Sequence, residues 1–472
     1  MSYKDFQTSI QLASEKINNS VEKDQAIVIF GPSSVDALIA SSILLKVINH
    51  IGGRALIRIG HQFSFENLRI KDHELAVLVD FGINTLKDVT AIYGNNCLII
   101  NHQKMSFEER VTDNNESVLN PWKYGINGHI EISTGGITYF VAKQLYKGAN
   151  SLIPLAITSA LAESQDVGEK KSLVGLNQTI LDEGKNLGLV VTEIDILLFN
   201  KCRSIHESIS DTLVPYIHGL TFNPKNCIKI LQEGGLLLKI NQKWKKCIDM
   251  TQEEKFILLR SITKYLGDKE TSEDVETSLI GVSYSFPKEK VGSLFFDGRN
   301  LSLYLNCCLS SRKPGLGISI CLGDRSRSIT EFLENIVNCK TNLQSYIQRI
   351  FHEGWRLSSE NNLDILINCD NIVSPDQLNI LCRVLSTNLQ FRTKVLILKS
   401  DDEDGKTMYF LKSTRYDTFL DIGEIAKESV REVNGYSEGN NVYASCVVPS
   451  SDNEKFLSII RRYMSNDKNE TK

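Results

Sequence analysis

No run in the 472-residue chain reaches the ~18 consecutive apolar residues that a membrane-spanning helix needs. Eleven cysteines are present, but no Cys-x-x-Cys pair occurs and the count is odd, which argues against a zinc finger or a disulfide framework. Buried, reduced thiols of a cytoplasmic protein are the expectation. The opening Met1-Ser2-Tyr3-Lys4-Asp5-Phe6 lacks the basic start, apolar middle and small-residue cleavage site of a secretory signal. No excess of either charge exists: 53 Lys and Arg face 57 Asp and Glu, a net charge of −4, so any nucleic-acid contact must be local. Nucleotide-binding patterns are also missing. Gly315-Leu316-Gly317 has no third glycine, and no Walker lysine occurs. What is present is ordinary globular material, 42% hydrophobic and 23% charged. The length suits roughly three domains at about 150 residues each.

The first third alternates short apolar runs with helical patterns. Ile27–Phe30, Ala55–Ile59, Ala76–Val79 and Cys97–Ile100 read as strands, Gly31-Pro32-Ser33-Ser34 as a turn, and Ala37–Ile48 as a helix. Unbroken apolar strands separated by helices predict a parallel sheet covered on both faces, with chemistry beyond the strands' carboxyl ends. A second sheet-and-helix unit is predicted from Leu363–Ile367, Val395–Leu398, Met408–Leu411 and Tyr443–Val448, with Asp401-Asp402-Glu403-Asp404-Gly405 as an acidic hairpin tip. Residues 191–340 mix helical stretches with short strand signals, and the polar tail from Asn466 to Lys472 is expected to fray. The fold expected is α/β in three parts, 1–190, 191–340 and 341–472.

Four polar residues fall where such a sheet presents a site. Asp36 opens the first predicted helix, Asp80 ends the third strand, His102 follows the fourth, and Glu163 follows the apolar run Leu152–Ile157. Three carboxylates and an imidazole can make one shell for Mn2+ or Mg2+. Each carboxylate can equally be a helix cap.

These stretches resemble the DHH phosphoesterase superfamily, in particular its archaeal RecJ-like branch with the GINS-associated nuclease. The similar segments are Gly31-Pro32-Ser33-Ser34-Val35-Asp36, Leu78-Val79-Asp80-Phe81-Gly82, Ile100-Asn101-His102-Gln103 and Ala160-Leu161-Ala162-Glu163. Further similar segments are Leu119-Asn120-Pro121 with Gly135-Gly136-Ile137, then Ser204–Ser208, Asp297-Gly298-Arg299-Asn300 and Lys313-Pro314-Gly315-Leu316-Gly317. The resemblance implies a DHH domain, a middle region and a C-terminal DHHA1-like domain.

It also implies a two-cation centre, and here the chain departs from the pattern. Pro32 and Ser34 stand where one cation would have a His and an Asp. Asn101 and Gln103 flank His102 in place of Asp and His, and neutral amides offer no anionic ligand. The other ligand set survives in kind as Asp36, Asp80, His102 and Glu163, enough for a single vestigial Mn2+ or Mg2+, with no cofactor required. In the C-terminal part Gly439-Asn440-Asn441 stands at the phosphate-cradling motif, with Asn441 at its His position. Arg312, Lys313, Arg325 and Arg327 cluster near Gly315 as a candidate phosphate-binding surface, along with Gly439 and Asn441. Lys243-Trp244-Lys245-Lys246 either stacks single-stranded bases or is a solvated insert.

The expectation is therefore a degenerate, non-catalytic member similar to the RecJ-derived subunit of the CMG replicative helicase. It would be an archaeal, cytoplasmic and nucleoid-associated replication factor. Its partners would be GINS, the MCM helicase through GINS, and single-stranded DNA, with no membrane. The alternative is a weak metal-dependent single-strand exonuclease or phosphodiesterase.

Overall fold

The computed structural model describes residues 3–60, 71, 74–81, 93–105, 117–267, 272–352, 364–388, 395–402, 404–414 and 420–466. Of the residues invoked above, Met1, Ser2, Gly82, Leu363, Glu403 and 467–472 lie outside this set. Two compact units are present. One comprises Met1–Val191, Tyr284–Lys288 and Gly298–Val337; the other comprises Thr192–Ser283, Glu289–Asp297 and Asn338–Lys472.

The first unit is built on strands β1 (Ile27–Pro32), β2 (Ala55–Gly60), β3 (Leu75–Val79), β4 (Cys97–Ile100) and β5 (Val118–Leu119), in the order β2-β1-β3-β4-β5 with every pair parallel. Strands β1, β3, β4 and β5 are buried along their whole length, which is why β1, β3 and β4 read as unbroken apolar runs. One face carries helices α1 (Tyr3–Glu22), α2 (Val35–His50) and α3 (Thr134–Leu145), packed through Phe6, Ile10, Leu44, Ile48, Ile137 and Val141. Phe30, Leu78, Phe81, Ile99 and Met105 fill the other face. The sequence reading did not anticipate α1, although Phe6, Ile10, Ala13 and Ile17 form the apolar stripe of an amphipathic helix.

Two local expectations are corrected. Gly31-Pro32 is no turn: β1 continues to Pro32, which pairs with Gly60 at the sheet edge. The apolar run Leu152–Ile157 that precedes Glu163 is helical. Ile153–Ala162 forms helix α4, with proline in its first turn and eight of its residues buried, and a helix buried nearly all round leaves no polar period to betray it. Gly315 and Gly317 lie in helix α7 (Pro314–Leu322), not in a loop. Helices α5 (Gly175–Asn186) and α6 (Gly298–Ser310) belong to the same unit.

In the second unit a five-stranded sheet runs in the order β10 (Asp364–Asn368), β11 (Val395–Asp401), β12 (Lys406–Ser413), β14 (Tyr443–Pro449), β13 (Tyr436–Gly439). Only β10–β11 is parallel. Helices Ile422–Arg431 and Asn453–Asn466 cover it over a core containing Ile397, Leu411, Ile425, Phe456 and Ile460. A separate core gathers Ile205, Ile209, Leu231, Leu258 and Ile262 from helices Ile205–Asp211, Pro224–Glu233 and Gln252–Leu266. The strand pair β6 (Val191–Ile196) and β9 (Ile280–Ser285) and the hairpin β7 (Lys239–Ile240) and β8 (Lys243–Trp244) complete this part.

All eleven cysteines are free, and all but Cys202 are buried, as expected for reduced thiols. No helix of the described residues is long and apolar enough to cross a membrane.

Candidate functional site

The carboxyl ends of β1, β3 and β4 converge on one buried polar cluster. Ser34 caps α2, its Oγ accepting from the Ala37 amide at 3.0 Å, and this places Asp36 in the first helical turn. Asp80 leaves β3 in a left-handed conformation, φ 61°, held by its amide donating to the Ile100 carbonyl at 2.9 Å. His102 follows β4. The Trp122 indole donates to its carbonyl at 3.0 Å, and a Cβ on Gly128 would meet that same oxygen at 2.0 Å. Glu163 terminates α4.

These four side chains meet, each no more than 5% exposed. His102 Nδ1 lies 3.2 Å from Asp36 Oδ2 and 3.4 Å from Asp80 Oδ1, and His102 Nε2 lies 3.6 Å from Glu163 Oε2. The imidazole therefore sits amid three carboxylates. Burial alone would strip its proton, but the contacts with Asp36, Asp80 and Glu163 outweigh burial and hold its pKa well above 6.5. Burial, reinforced by the Asp36 charge, lifts Asp80 from 3.8 to about 6. Burial pushes Asp36 up as well, yet His102, Ser159 and the Gly135 amide together leave it below the ordinary carboxylate range.

The sequence reading missed the groups that saturate these carboxylates. The N-terminus of α3 points at Asp36: the Thr134 and Gly135 amides donate to Oδ2 and Oδ1 at 2.8 and 2.7 Å. Ser159 Oγ also donates to Oδ1. On Asp80, Thr134 Oγ1 donates to Oδ1 at 3.1 Å and Ser34 Oγ donates to Oδ2 at 2.6 Å. Gly135 must be glycine here, since a Cβ would meet Ser159 Oγ at 2.3 Å. The Gly135-Gly136 signal was visible in the sequence; its reason, backbone amides delivered to a carboxylate, was not.

The side-chain amides of Asn101 and Gln103 are structural, Gln103 Nε2 donating to the Asp80 carbonyl at 3.5 Å. Asn101 Nδ2 donates to the Phe81 carbonyl at 2.8 Å, and Asn120 Nδ2 donates to Asn101 Oδ1 and, at 2.9 Å, to the Gln103 carbonyl. This web ties the segments after β3, β4 and β5 together.

A cation test gives two answers. Asp36, Asp80 and His102 each offer a ligand atom, all within 4.8 Å of one another, a donor set suited to one Mn2+ or Mg2+. The residues do not fit a pair. Pro32 has no donor, and the Ser34 hydroxyl is spent on Asp80.

Arg299 on α6 braces the same region. It reaches Asp166 at 2.5 Å and donates to the Lys171 carbonyl at 3.1 Å, fixing the loop that follows Glu163. The candidate basic cluster lies around α7, and much of its charge is engaged. Lys313 Nζ is 2.9 Å from Glu331, and Arg325 donates to the Ile320 carbonyl at 2.9 Å, closing the helix end. Arg312 has a left-handed backbone, φ 55°, and the Arg327 amide donates to Asp324 at 3.1 Å. Gly439, the last residue of β13, and Asn441, in the turn to β14, belong to the other unit. The Ile422 amide donates to the Asn441 carbonyl at 3.1 Å, and a Cβ on Gly439 would meet the Tyr443 carbonyl at 2.3 Å.

No family model matches the chain. An uncharacterised protein of Methanocaldococcus jannaschii is 26% identical over 270 residues, which is 56% of this chain and 56% of that one. The match thus spans little more than half of that relative. CDC45 from Entamoeba histolytica has a similar structure, with a TM-score of 0.63 and 14% identity over 97% of this chain and 99% of that one. RecJ from Thermus thermophilus in complex with Mn2+ gives 0.57 and 12% over 97% and 55% respectively. A manganese-bound exonuclease RecJ gives 0.54 and 13% over 97% and 94%. The likeness is one of fold: an α/β architecture of the RecJ and CDC45 type, as the sequence led us to expect.

Proposed function

We propose that the chain is a non-catalytic, RecJ-like DNA replication factor that binds GINS, reaches the MCM helicase through it, and supports a CMG-like helicase. The observation that carries this reading is the state of the polar cluster. The Ser34 hydroxyl, at a position where the resemblance implies a ligand carboxylate, hydrogen-bonds to Asp80 instead. Two-metal phosphodiester cleavage needs cations about 3.5–4 Å apart to stabilise both attacking and leaving oxygens. A pocket with donors for at most one of them loses that means of catalysis, while its internal hydrogen bonds keep the architecture intact. The match to CDC45 over nearly the whole of both chains supports the same reading. On this proposal residues 1–190 form the DHH-like part, 191–340 the middle region and 341–472 the DHHA1-like part, in a cytoplasmic, nucleoid-associated protein.

The Asp36, Asp80 and His102 cluster favours one second reading, a weak single-cation exonuclease acting on single strands. Affinity capture from native extract, followed by digestion of end-labelled single strands in Mn2+ with the same preparation, separates the two. Recovery of GINS subunits without digestion supports the replication factor. Digestion that disappears in Asp80→Ala, without recovery of GINS, replaces it with the enzyme.

A further inference from the structure

We infer that the β7–β8 hairpin is a stacking platform for single-stranded nucleic acid, centred on Trp244. The inference does not depend on binding to GINS, and its test is separate from the capture experiment above. The ribbon turns through Asn241 and Gln242, both at positive φ, 49° and 66°, the geometry of a tight two-residue hairpin. Lys239 pairs with Trp244, and Ile240 with Lys243. Alternation along each strand puts Leu237, Lys239, Trp244 and Lys246 on one face. All four are exposed, Leu237 by 63% and Trp244 by 43%, an unusual display for an indole.

The ring is held in place. The His206 ring lies 4.3 Å away between centroids, and Lys239 Nζ sits 4.4 Å from the indole centroid. Trp244 is thus a positioned aromatic surface with an ammonium over it. Beside it, Lys239 and Lys246 have no carboxylate partner among the described residues, while Lys243 and Lys245 lie on the opposite face, where Lys245 is taken by Glu254 at 2.5 Å. No acidic residue occurs between Leu237 and Lys246. In a chain of net charge −4 this is a local concentration of free cations around one aromatic ring.

That chemistry fits a polyanion carrying flat bases. Aromatic stacking supplies sequence-tolerant affinity and lysines follow the phosphates. An exposed cation–π contact is weaker than base stacking, so a base can displace the Lys239 ammonium and pass it to a phosphate. A protein partner fits less well, because lysine is depleted at the centres of protein interfaces.

The test is fluorescence anisotropy of a labelled oligothymidylate titrated with the full chain between about 50 and about 200 mM salt. Trp244→Ala should weaken binding at least about fivefold, and Trp244→Phe should retain most of it. Lys239→Ala with Lys246→Ala should lower the salt slope by about 1.4. Thermal melts confirm that each variant is folded. Equal affinity of wild type and Trp244→Ala overturns the inference. So does an acidic, leucine-rich peptide that binds in a Trp244-dependent way while the oligonucleotide does not.

Discussion

His102→Gln should change the dependence of stability on pH in a defined way. The imidazole is enclosed by Asp36, Asp80 and Glu163 and keeps its proton well above pH 6.5 in the folded chain. A group whose folded pKa is raised stabilises fully below its unfolded value, about 6.5 for histidine, and that stabilisation is lost as pH rises through the folded value. Between the two values the unfolded chain holds one proton fewer than the folded chain. Stability then falls by up to about 1.4 kcal/mol per pH unit. Asp80, lifted to about 6, gives a slope of the same sign between its ordinary 3.8 and that value, so the measurement belongs above pH 7. Asp36 is lowered; the stability it contributes is complete above 3.8 and is lost as pH falls through its folded value, also outside this window. His102→Gln keeps a hydrogen-bonding side chain but cannot titrate. It should cost about 3–5 kcal/mol at pH 7, the range for removing one partner of a buried ion pair. It should also remove its share of the slope. Urea melts of both proteins in chelator at pH 7, 7.75 and 8.5 read the difference, in which every other histidine cancels. Parallel stability curves for the two proteins would refute the reasoning.

Other changes test the surrounding structure. Ser34→Asp adds a further carboxylate beside Asp80 in place of a 2.6 Å hydrogen bond, so it should melt lower than wild type in chelator and recover in Mn2+, read by differential scanning fluorimetry. Arg299→Ala strands Asp166, which is only 6% exposed, and should destabilise by about 3–5 kcal/mol, whereas removing the exposed Arg54–Asp24 pair should change stability by less than about 1 kcal/mol in the same urea melts. Asn120→Ala leaves Asn101 Oδ1 and the Gln103 carbonyl without their donor and should cost about 1–3 kcal/mol for each group left unmet, measured by chemical denaturation.

The parts legible in the sequence are those that rest on local patterns. Strands β1, β3 and β4 announced themselves because burial on both faces demands unbroken apolar runs. Asp36, Asp80 and His102 were found because they follow those strands directly. Glu163 was found because it follows the apolar run Leu152–Ile157, but that this run lies in a helix was not legible, since helix α4 is as apolar as a buried strand. What stayed hidden depends on contacts between distant segments. Ser159 reaches Asp36 across 123 positions, and Thr134 reaches Asp80 across 54. No spacing rule links such pairs, so a hydroxyl that saturates a carboxylate looks in sequence like any serine or threonine. The departures at Pro32, Ser34, Asn101 and Gln103 from the pattern the sequence resembles were visible. That Ser34 and the two amides had been taken into new hydrogen bonds was not.

The central claim is that this pocket does not assemble a pair of cations. Anomalous diffraction at the manganese edge, from crystals of the wild-type chain grown in Mn2+, tests it most directly. The account predicts at most one peak among Asp36, Asp80 and His102. Two peaks about 3.5–4 Å apart in that pocket would contradict it.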